Sequence, residues 1–156
     1  MLPAESWDMI RARQRRATLI RARAKMMNKR ERDYQAFGAF LADFVRDLNH
    51  LSEAGWALLV EGPRDARAMH RLGYRGPMVT VGALGRSGIG ALDDVRKVVI
   101  LTDLDREGAT LAARFVKALN HEGVKTSLSE RRRLKAASRG VFRHVENLSR
   151  FGEPTE

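Results

Sequence analysis

The sequence predicts an α/β fold in which a parallel sheet lies between layers of helices, with a basic helical extension before it. Two observations support this prediction. In the middle of the chain, short and wholly apolar runs alternate with amphipathic stretches, and the inner runs have the composition of strands that are covered on both faces. The N-terminal part instead combines many arginines with residues that favour helices.

The N-terminal part predicts two helices. Residues 5–32 contain no glycine and no proline, which suits a helix. A second and strongly amphipathic helix is expected from near Tyr34, because its apolar residues recur every three or four positions. Gly55 is expected to end that helix. Residues 1–54 therefore form a predicted basic helical extension.

The central part, residues 55–130, predicts strands that alternate with helices. We expect strands at 56–62, 77–83, 97–103 and 124–129, and helices at 63–74, near 90–96 and at 107–123. The glycine-rich segment 82–90 is interpreted as a plain loop, with a phosphate-binding loop as the alternative. It lacks the Gly-Lys-Ser/Thr ending of a P-loop and the spacing of a dinucleotide-binding fingerprint. Residues 131–156 are predicted to form a basic C-terminal tail.

Positive charge is concentrated near the two ends of the chain. The formal net charge is +10; residues 11–32 hold ten lysines and arginines against one acid, and residues 131–143 hold six against none. Residues 55–130 are nearly balanced, with eleven basic and nine acidic side chains. Basic patches attract polyanions, most often nucleic acid, although solvated arginine-rich helices have the same composition. Few aromatic residues lie among these bases, which favours backbone or duplex contacts over base stacking.

The same composition excludes several kinds of site. Without cysteine, the chain has no disulfide, no thiolate metal site and no cysteine nucleophile. The four histidines show no i, i+4 pairing, which argues against a zinc site built from histidines. No apolar run is long enough to span a bilayer and no signal-peptide pattern is present. We therefore expect a cytoplasmic protein with no membrane partner.

Acidic residues follow two of the predicted strands. The apolar residues 98–101 are followed, after Thr102, by Asp103, Asp105 and Glu107, and Glu61 follows the first strand. The carboxyl ends of parallel strands share one edge of the sheet, and residues two apart in an extended chain point the same way. Carboxylates gathered there repel one another unless a cation is bound. Oxygen ligands suit Mg²⁺, which serves phosphoryl transfer in many enzymes.

A structural interpretation of the same residues stays open. Asp105 can cap the helix that follows it, and Glu107 can interact with the dipole of that helix in its first turn. Glu61 taken alone has the character of a surface residue at a strand end. The combination of acidic residues after both strands is what favours a metal site.

Two motifs, "LLVEGPRDARAM" (58–69) and "VVILTDLDREG" (98–108), occur in an order and spacing that resemble the Toprim domain. This domain is shared by type IA topoisomerases, bacterial-type primases and nucleases such as the one that matures 5S ribosomal RNA. The resemblance covers about residues 55–130, and the chain is most similar to the small stand-alone Toprim proteins of archaea. Topoisomerases and primases need further domains, which a chain of 156 residues does not accommodate.

The resemblance implies a Rossmann-like, four-stranded parallel sheet between helices. It implies that Glu61 is an acid/base catalyst and that Asp103 and Asp105 are ligands of Mg²⁺, with Mn²⁺ as an alternative ion. We include Glu61 and Glu107 in the expected metal site as well. Glu107 matches a third acidic position of the topoisomerases, whereas Ala109 stands where they carry a further glutamate.

These patterns predict a Mg²⁺-dependent phosphodiester hydrolase, similar to a nuclease, that acts on structured nucleic acid, with RNA slightly favoured over DNA. The alternatives are a non-catalytic Toprim module that binds Mg²⁺ and nucleic acid in a processing assembly, and a phosphohydrolase of small phosphorylated molecules. Arg64 and Arg106 either bind substrate phosphate or balance the acidic cluster. The other expected nucleic-acid contacts are in the basic segments: Arg15, Arg16, Arg21, Arg23, Arg131, Arg132 and Arg133.

Overall fold

The computed structural model of the protein describes residues 6–26, 28–139 and 142–151. In chain order its elements are α1 (Trp7–Met26), α2 (Lys29–Glu53), β1 (Trp56–Val60), α3 (Pro63–Arg71), β2 (Met78–Thr80), α4 (Val81–Ser87), β3 (Lys97–Ile100), α5 (Arg106–His121), β4 (Lys125–Ser127) and α6 (Ser129–Ser138). Two 3₁₀ helices, Gly88–Leu92 and Val145–Phe151, follow α4 and α6. The remaining residues of the predicted extension and tail lie outside the described residues.

The four strands form one parallel sheet in the order β2-β1-β3-β4. β1 and β3 are neighbours at its centre, with Leu59 paired to Ile100. Both strands are almost entirely buried, as their continuous apolar composition predicts. The predicted α/β fold with a four-stranded parallel sheet between helices is therefore confirmed.

Alternate residues of the central strands bury opposite faces of the sheet. Leu58, Val60 and Val99 belong to a core shared with α2, α3, α6 and the C-terminal 3₁₀ helix. Leu59 and Ile100 belong to a second core, shared with α4 and α5. This period of two is what an extended chain produces, and it gives each face of the sheet its own helical cover.

The glycine-rich segment is helical, so its interpretation as a plain loop is wrong. The helix α4 begins directly after β2, where the Thr80 hydroxyl accepts a hydrogen bond from the backbone N–H of Ala83 at 3.2 Å. This is the N-cap arrangement that threonine provides. Leu84 and Leu92 are buried in the second core, which fixes α4 and the following 3₁₀ helix against the sheet. Packing of these two leucines outweighs the low helix propensity of the glycines.

The break between the first two helices falls earlier than predicted. α1 ends at Met26 and α2 begins at Lys29, whereas the sequence predicted one helix to residue 32 and another from near Tyr34. Asn28 caps α2, because its side-chain oxygen accepts the N–H of Glu31 at 2.8 Å. The residues up to Ala36 and those from Phe37 onward form separate compact units, and the division lies within α2.

The predicted basic tail contributes to the core of the second unit. Leu134 of α6 and Leu148 of the C-terminal 3₁₀ helix are fully buried, together with Val145. α6 and the C-terminal 3₁₀ helix belong to the same compact unit as the sheet, and the domain boundaries at residues 54 and 130 stay a prediction. None of the helices in the described parts of the chain is both long and apolar enough to cross a membrane.

Candidate metal and catalytic site

Acidic side chains lie at the carboxyl edge of the two central strands. Glu61 directly follows β1, and Asp103 lies three residues beyond the end of β3. The backbone N–H of Leu101 donates to the carbonyl of Leu59 at 2.8 Å, which continues the strand pairing toward this edge. The backbone N–H of Asp103 then donates to Glu61 Oε1 at 3.0 Å. Two residues from separate sequence motifs are thus in direct contact.

Asp105 is the N-cap of α5, so the capping role that the sequence left open is present. Its Oδ1 accepts the backbone N–H of Gly108 at 2.7 Å. This hydrogen bond engages one of the two carboxylate oxygens. Capping and metal binding are therefore compatible at this residue, because a carboxylate has lone pairs on both oxygens.

The carboxylate of Asp103 is held by a segment far away in sequence. Its Oδ1 accepts the backbone N–H of Val145 at 2.8 Å, and its Oδ2 lies 3.2 Å from Nδ1 of His144. The hydrogen bond to Asp103 raises the pKa of His144 above its ordinary value. The side chain of Asp103 is only 14% exposed. These contacts fix the direction of its two oxygens.

Among the residues that the structure describes, one group has the composition and spacing to share a single metal ion. Ligand atoms of Asp103, Asp105 and His144 all lie within 4.8 Å of one another. Two carboxylates and an imidazole fit a divalent cation, because all three are common metal ligands. Glu61 and Glu107, which the sequence also assigned to the metal site, are not in this group: Glu61 contacts the backbone of Asp103, and Glu107 lies exposed in the first turn of α5.

The environment of Glu61 favours proton transfer. Burial raises the pKa of Glu61 above its ordinary value, and the nearby charges of Asp103, Asp65 and Asp105 raise it further. The hydrogen bond from the N–H of Asp103 opposes these effects. A carboxyl group with a raised pKa holds and releases a proton closer to neutral pH, as a general acid or base must.

A further pair of acids near the edge was not singled out from the sequence. Asp65 is buried, and its Oδ2 accepts the N–H of Gly62 at 2.9 Å at the start of α3. Burial and the charges of Asp103 and Glu146 raise the pKa of Asp65. The position of Asp65 in the first turn after Gly-Pro is a capping pattern that the sequence offers. Glu146 and His144 lie in the predicted tail, where no pattern links them to the strand ends.

The predicted arginines occupy different surroundings. Arg64 lies beside Glu61 and Asp103 in a cleft that Glu146 also lines. Arg106 lines a second cleft with Glu61 and Glu107. Six more of the predicted arginines are exposed: Arg15, Arg16, Arg21, Arg23, Arg132 and Arg133. Arg133 also donates to Asp47 at 2.6 Å.

Arg131 is not exposed, as a residue that contacts substrate phosphate would need to be. It is buried, and its guanidinium donates to the backbone carbonyls of Thr102, at 3.3 Å, and Asp103, at 2.5 Å. Burial lowers the pKa of Arg131, and the charges of Asp105, Glu61 and Asp103 oppose this effect. Its donors support the turn that carries the two aspartates. The positive charge of Arg131 therefore acts on the acidic edge from within the fold.

Gly108 allows the first turn of α5 to pack closely against the backbone of Asp103. A Cβ atom at this position would stand 1.8 Å from the carbonyl oxygen of Asp103. The Thr102 hydroxyl donates to the carbonyl of Gly108 at 2.7 Å, which holds the start of the helix against the strand end. The glycine of the Asp-x-Asp motif is thus required by close backbone approach.

We expect Gly108→Ala to destabilise the protein, because the added methyl group can be accommodated only if the backbone at Asp103 moves. Overpacking of this kind costs about 1–3 kcal/mol. Urea unfolding followed by circular dichroism measures the change. Gly85→Ala in α4 is the matched control, since a Cβ atom added there would meet nothing within 4 Å, and it is expected to be neutral or to stabilise by about 0.4–1 kcal/mol. Equal stabilities of the two variants would contradict this account of Gly108.

Comparison with known proteins agrees with the geometry. Residues 55–129 match the family model of the Toprim domain. The UPF0292 protein of Pyrococcus abyssi is 32% identical over 106 residues, which cover 67% of this chain and 80% of that protein. The UPF0292 protein of Archaeoglobus fulgidus is 32% identical over 121 residues, which cover 78% of this chain and 93% of that protein. The chain belongs to the UPF0292 family.

A solved structure supports the fold separately. A protein from Aquifex aeolicus superimposes with a TM-score of 0.57 at 21% identity, over 67% of this chain and 94% of the other. The predicted resemblance to small archaeal Toprim proteins is confirmed. Toprim domains bind divalent metals, and Asp103, Asp105 and His144 could hold such an ion here. The Toprim match therefore points to a metal-binding, nucleic-acid-related function.

Proposed function

We propose that this UPF0292 protein is a phosphodiester hydrolase that depends on Mg²⁺, with Mn²⁺ as an alternative ion, and cleaves structured nucleic acid, with RNA slightly favoured over DNA. The observation that carries the proposal is the 3.0 Å hydrogen bond from the N–H of Asp103 to Glu61 Oε1. It brings a carboxyl group with a raised pKa next to the candidate metal ligands. Proton transfer and charge stabilisation are the two requirements of phosphodiester cleavage.

Each acidic residue has its own role in the proposal. Asp103 and Asp105 would hold the metal ion, while Glu61 accepts the N–H of Asp103 and Glu107 lines a cleft with Glu61. When bound, such an ion stabilises negative charge on phosphate oxygens. Glu61 takes a proton from the attacking oxygen or gives one to the leaving oxygen. Arg64 and Arg106, which line the clefts that contain Glu61, bind the phosphates of the substrate.

The basic helix α1 supports a polynucleotide substrate over a small one. Arg15, Arg16, Arg21 and Arg23 are all exposed, as phosphate contacts need to be. The helix carries one aromatic residue, Trp7, among its many bases. Backbone contacts without base stacking are typical of binding to folded or duplex nucleic acid. The preference for RNA rests on the resemblance to a nuclease of ribosomal RNA.

A cleavage assay tests the proposal. The full chain is incubated with a labelled RNA hairpin, with DNA of the same sequence and with free nucleotides, in Mg²⁺ or in a chelator. In Mg²⁺, the proposal expects cleavage of the RNA hairpin and slower cleavage of the DNA, with free nucleotides left intact. In the chelator it expects no cleavage. Tight binding without cleavage would instead support the non-catalytic binding module. Hydrolysis of free nucleotides alone would support a phosphohydrolase of small molecules.

Deletion of residues 1–32 should weaken binding to nucleic acid and flatten its dependence on salt. Each lost phosphate contact lowers the slope of log affinity against log salt concentration by about 0.9 on duplex DNA, or about 0.7 on single strands. The fold should persist, because the buried residues of α2 begin at Phe37. Binding isotherms at several salt concentrations, on unrelated sequences, measure both effects.

Substitutions within α1 show whether its positive charge, and not merely the presence of the helix, contributes to binding of nucleic acid. Replacing Arg15, Arg16, Arg21 and Arg23 by glutamine removes four charges and keeps good helix formers. This variant should reproduce part of the change in slope. A control with Arg71→Gln and Arg75→Gln removes exposed charge from the second unit and should leave the slope nearly unchanged. An unchanged slope after the deletion would mean that this segment does not contact phosphates.

A further inference from the structure

His144 comes from a segment that lies outside the matched Toprim domain. Its Nδ1 is 3.2 Å from Oδ2 of Asp103. The two residues beside it are also tied to the strand end: the N–H of Val145 donates to Asp103 Oδ1 at 2.8 Å, and the carbonyl of Arg143 accepts the N–H of Leu104 at 2.7 Å. The backbone of His144 is therefore fixed on both sides at the acidic edge.

Packing also holds the segment that contains His144 in place at the acidic edge of the sheet. Val145 and Leu148 are buried in the first core, with 1% and 0% of their surfaces exposed. The His144 side chain itself is 50% exposed. A fixed backbone beneath a ring that solvent can reach is a suitable arrangement for a ligand of an exchangeable ion. It keeps the imidazole beside Asp103 and leaves room for water or substrate.

The spacing of the donor atoms fits one coordination sphere. Ligand atoms of Asp103, Asp105 and His144 lie within 4.8 Å of one another. Two ligands at right angles, each bonded at about 2.1 Å, stand about 3 Å apart. The 3.2 Å between Nδ1 and Oδ2 is close to that value. When no ion is bound, the same two atoms form a hydrogen bond.

A nitrogen ligand from His144 would affect which metal ion the site prefers. Mg²⁺ takes oxygen ligands and retains much of its water, whereas imidazole is a good ligand for later first-row transition metals. We propose that His144 is a nitrogen ligand of the metal held by Asp103 and Asp105, and that it makes the site select divalent transition-metal ions over Mg²⁺. This inference rests on the proposed metal site. Mg²⁺ would still bind through the carboxylates, with lower affinity.

Calorimetric titration of the full chain with Co²⁺ and with Mg²⁺ tests the inference. His144→Ala should weaken Co²⁺ binding by about tenfold or more, since even partners outside the coordination sphere contribute that much. Mg²⁺ binding should change little. The visible absorption of bound Co²⁺ should also shift when the nitrogen ligand is lost. His121→Ala, which removes an exposed histidine of α5, is the control and should behave as wild type.

A second substitution separates ligation from hydrogen bonding. His144→Asn keeps an N–H for Asp103 but has no imidazole nitrogen, so it should lose selectivity as His144→Ala does. If both variants change Co²⁺ and Mg²⁺ affinity by the same factor, while Asp103→Asn still weakens binding of both ions strongly, the role of His144 is overturned and the metal site stands. If Asp103→Asn binds both ions as wild type does, the metal site and this inference both fail.

Discussion

Glu61→Gln is expected to bind nucleic acid with wild-type affinity and to cleave it on the order of a hundredfold or more slowly. Glutamine has nearly the shape of glutamate and can still accept the N–H of Asp103 through its side-chain oxygen. It cannot exchange a proton near neutral pH. A group that acts only in the transition state contributes to the rate and not to substrate affinity, so kcat should fall while KM stays nearly constant.

Single-turnover cleavage of a labelled RNA hairpin, with binding measured separately, tests this expectation. Glu122→Gln is the matched control, because Glu122 is an exposed glutamate at the end of α5. It should cleave at the wild-type rate. Cleavage by Glu61→Gln at the wild-type rate would remove Glu61 from the mechanism. An equal loss of binding and of rate would show that Glu61 supports the site's structure and does not transfer a proton.

The central part of the fold was predictable because its strands are buried on both faces. Ala57–Val60 and Val98–Ile100 are continuous apolar runs, and each is followed by acidic residues. Such runs identify parallel strands, and parallel strands bring their carboxyl ends to one edge. The contact between Glu61 and Asp103 follows from these two facts and needs no information from distant parts of the chain.

The contribution of the C-terminal segment could not be predicted in the same way. Leu134, Val145 and Leu148 are fully buried, but they lie in two short helices, and Leu134 is flanked by basic residues. Neither helix is long enough to show a clear apolar period. The contacts of His144 and Val145 with Asp103 span about forty positions of sequence and depend on tertiary packing. Local patterns carry no signal for such pairs.

The starts of α2 and of α4 each depend on a local hydrogen bond that composition alone does not reveal. Asn28 followed three residues later by Glu31 is a capping pattern, and the structure uses it to start α2. Thr80 caps α4 in a similar way, within a segment whose glycines suggest a loop. In both places a single side-chain hydrogen bond to the backbone decides where the helix begins.

Asp103→Asn and Asp105→Asn should each weaken binding of Mg²⁺ strongly, by about tenfold or more. Asparagine removes the negative charge and keeps an oxygen that accepts the N–H of Val145 or of Gly108. Asparagine is also a good N-cap, so α5 should start as before in the Asp105 variant. Loss of binding would therefore report on the ion site and not on the fold.

The measurement that tests the central claim most directly is calorimetric titration of Mg²⁺ into the wild type, these two variants and the control Asp94→Asn, an exposed aspartate away from the motifs. A metal site at the carboxyl edge of β1 and β3 predicts binding by the wild type and by Asp94→Asn, and greatly weakened binding by Asp103→Asn and Asp105→Asn. Equal affinity in all four proteins, or no binding by the wild type, would contradict it.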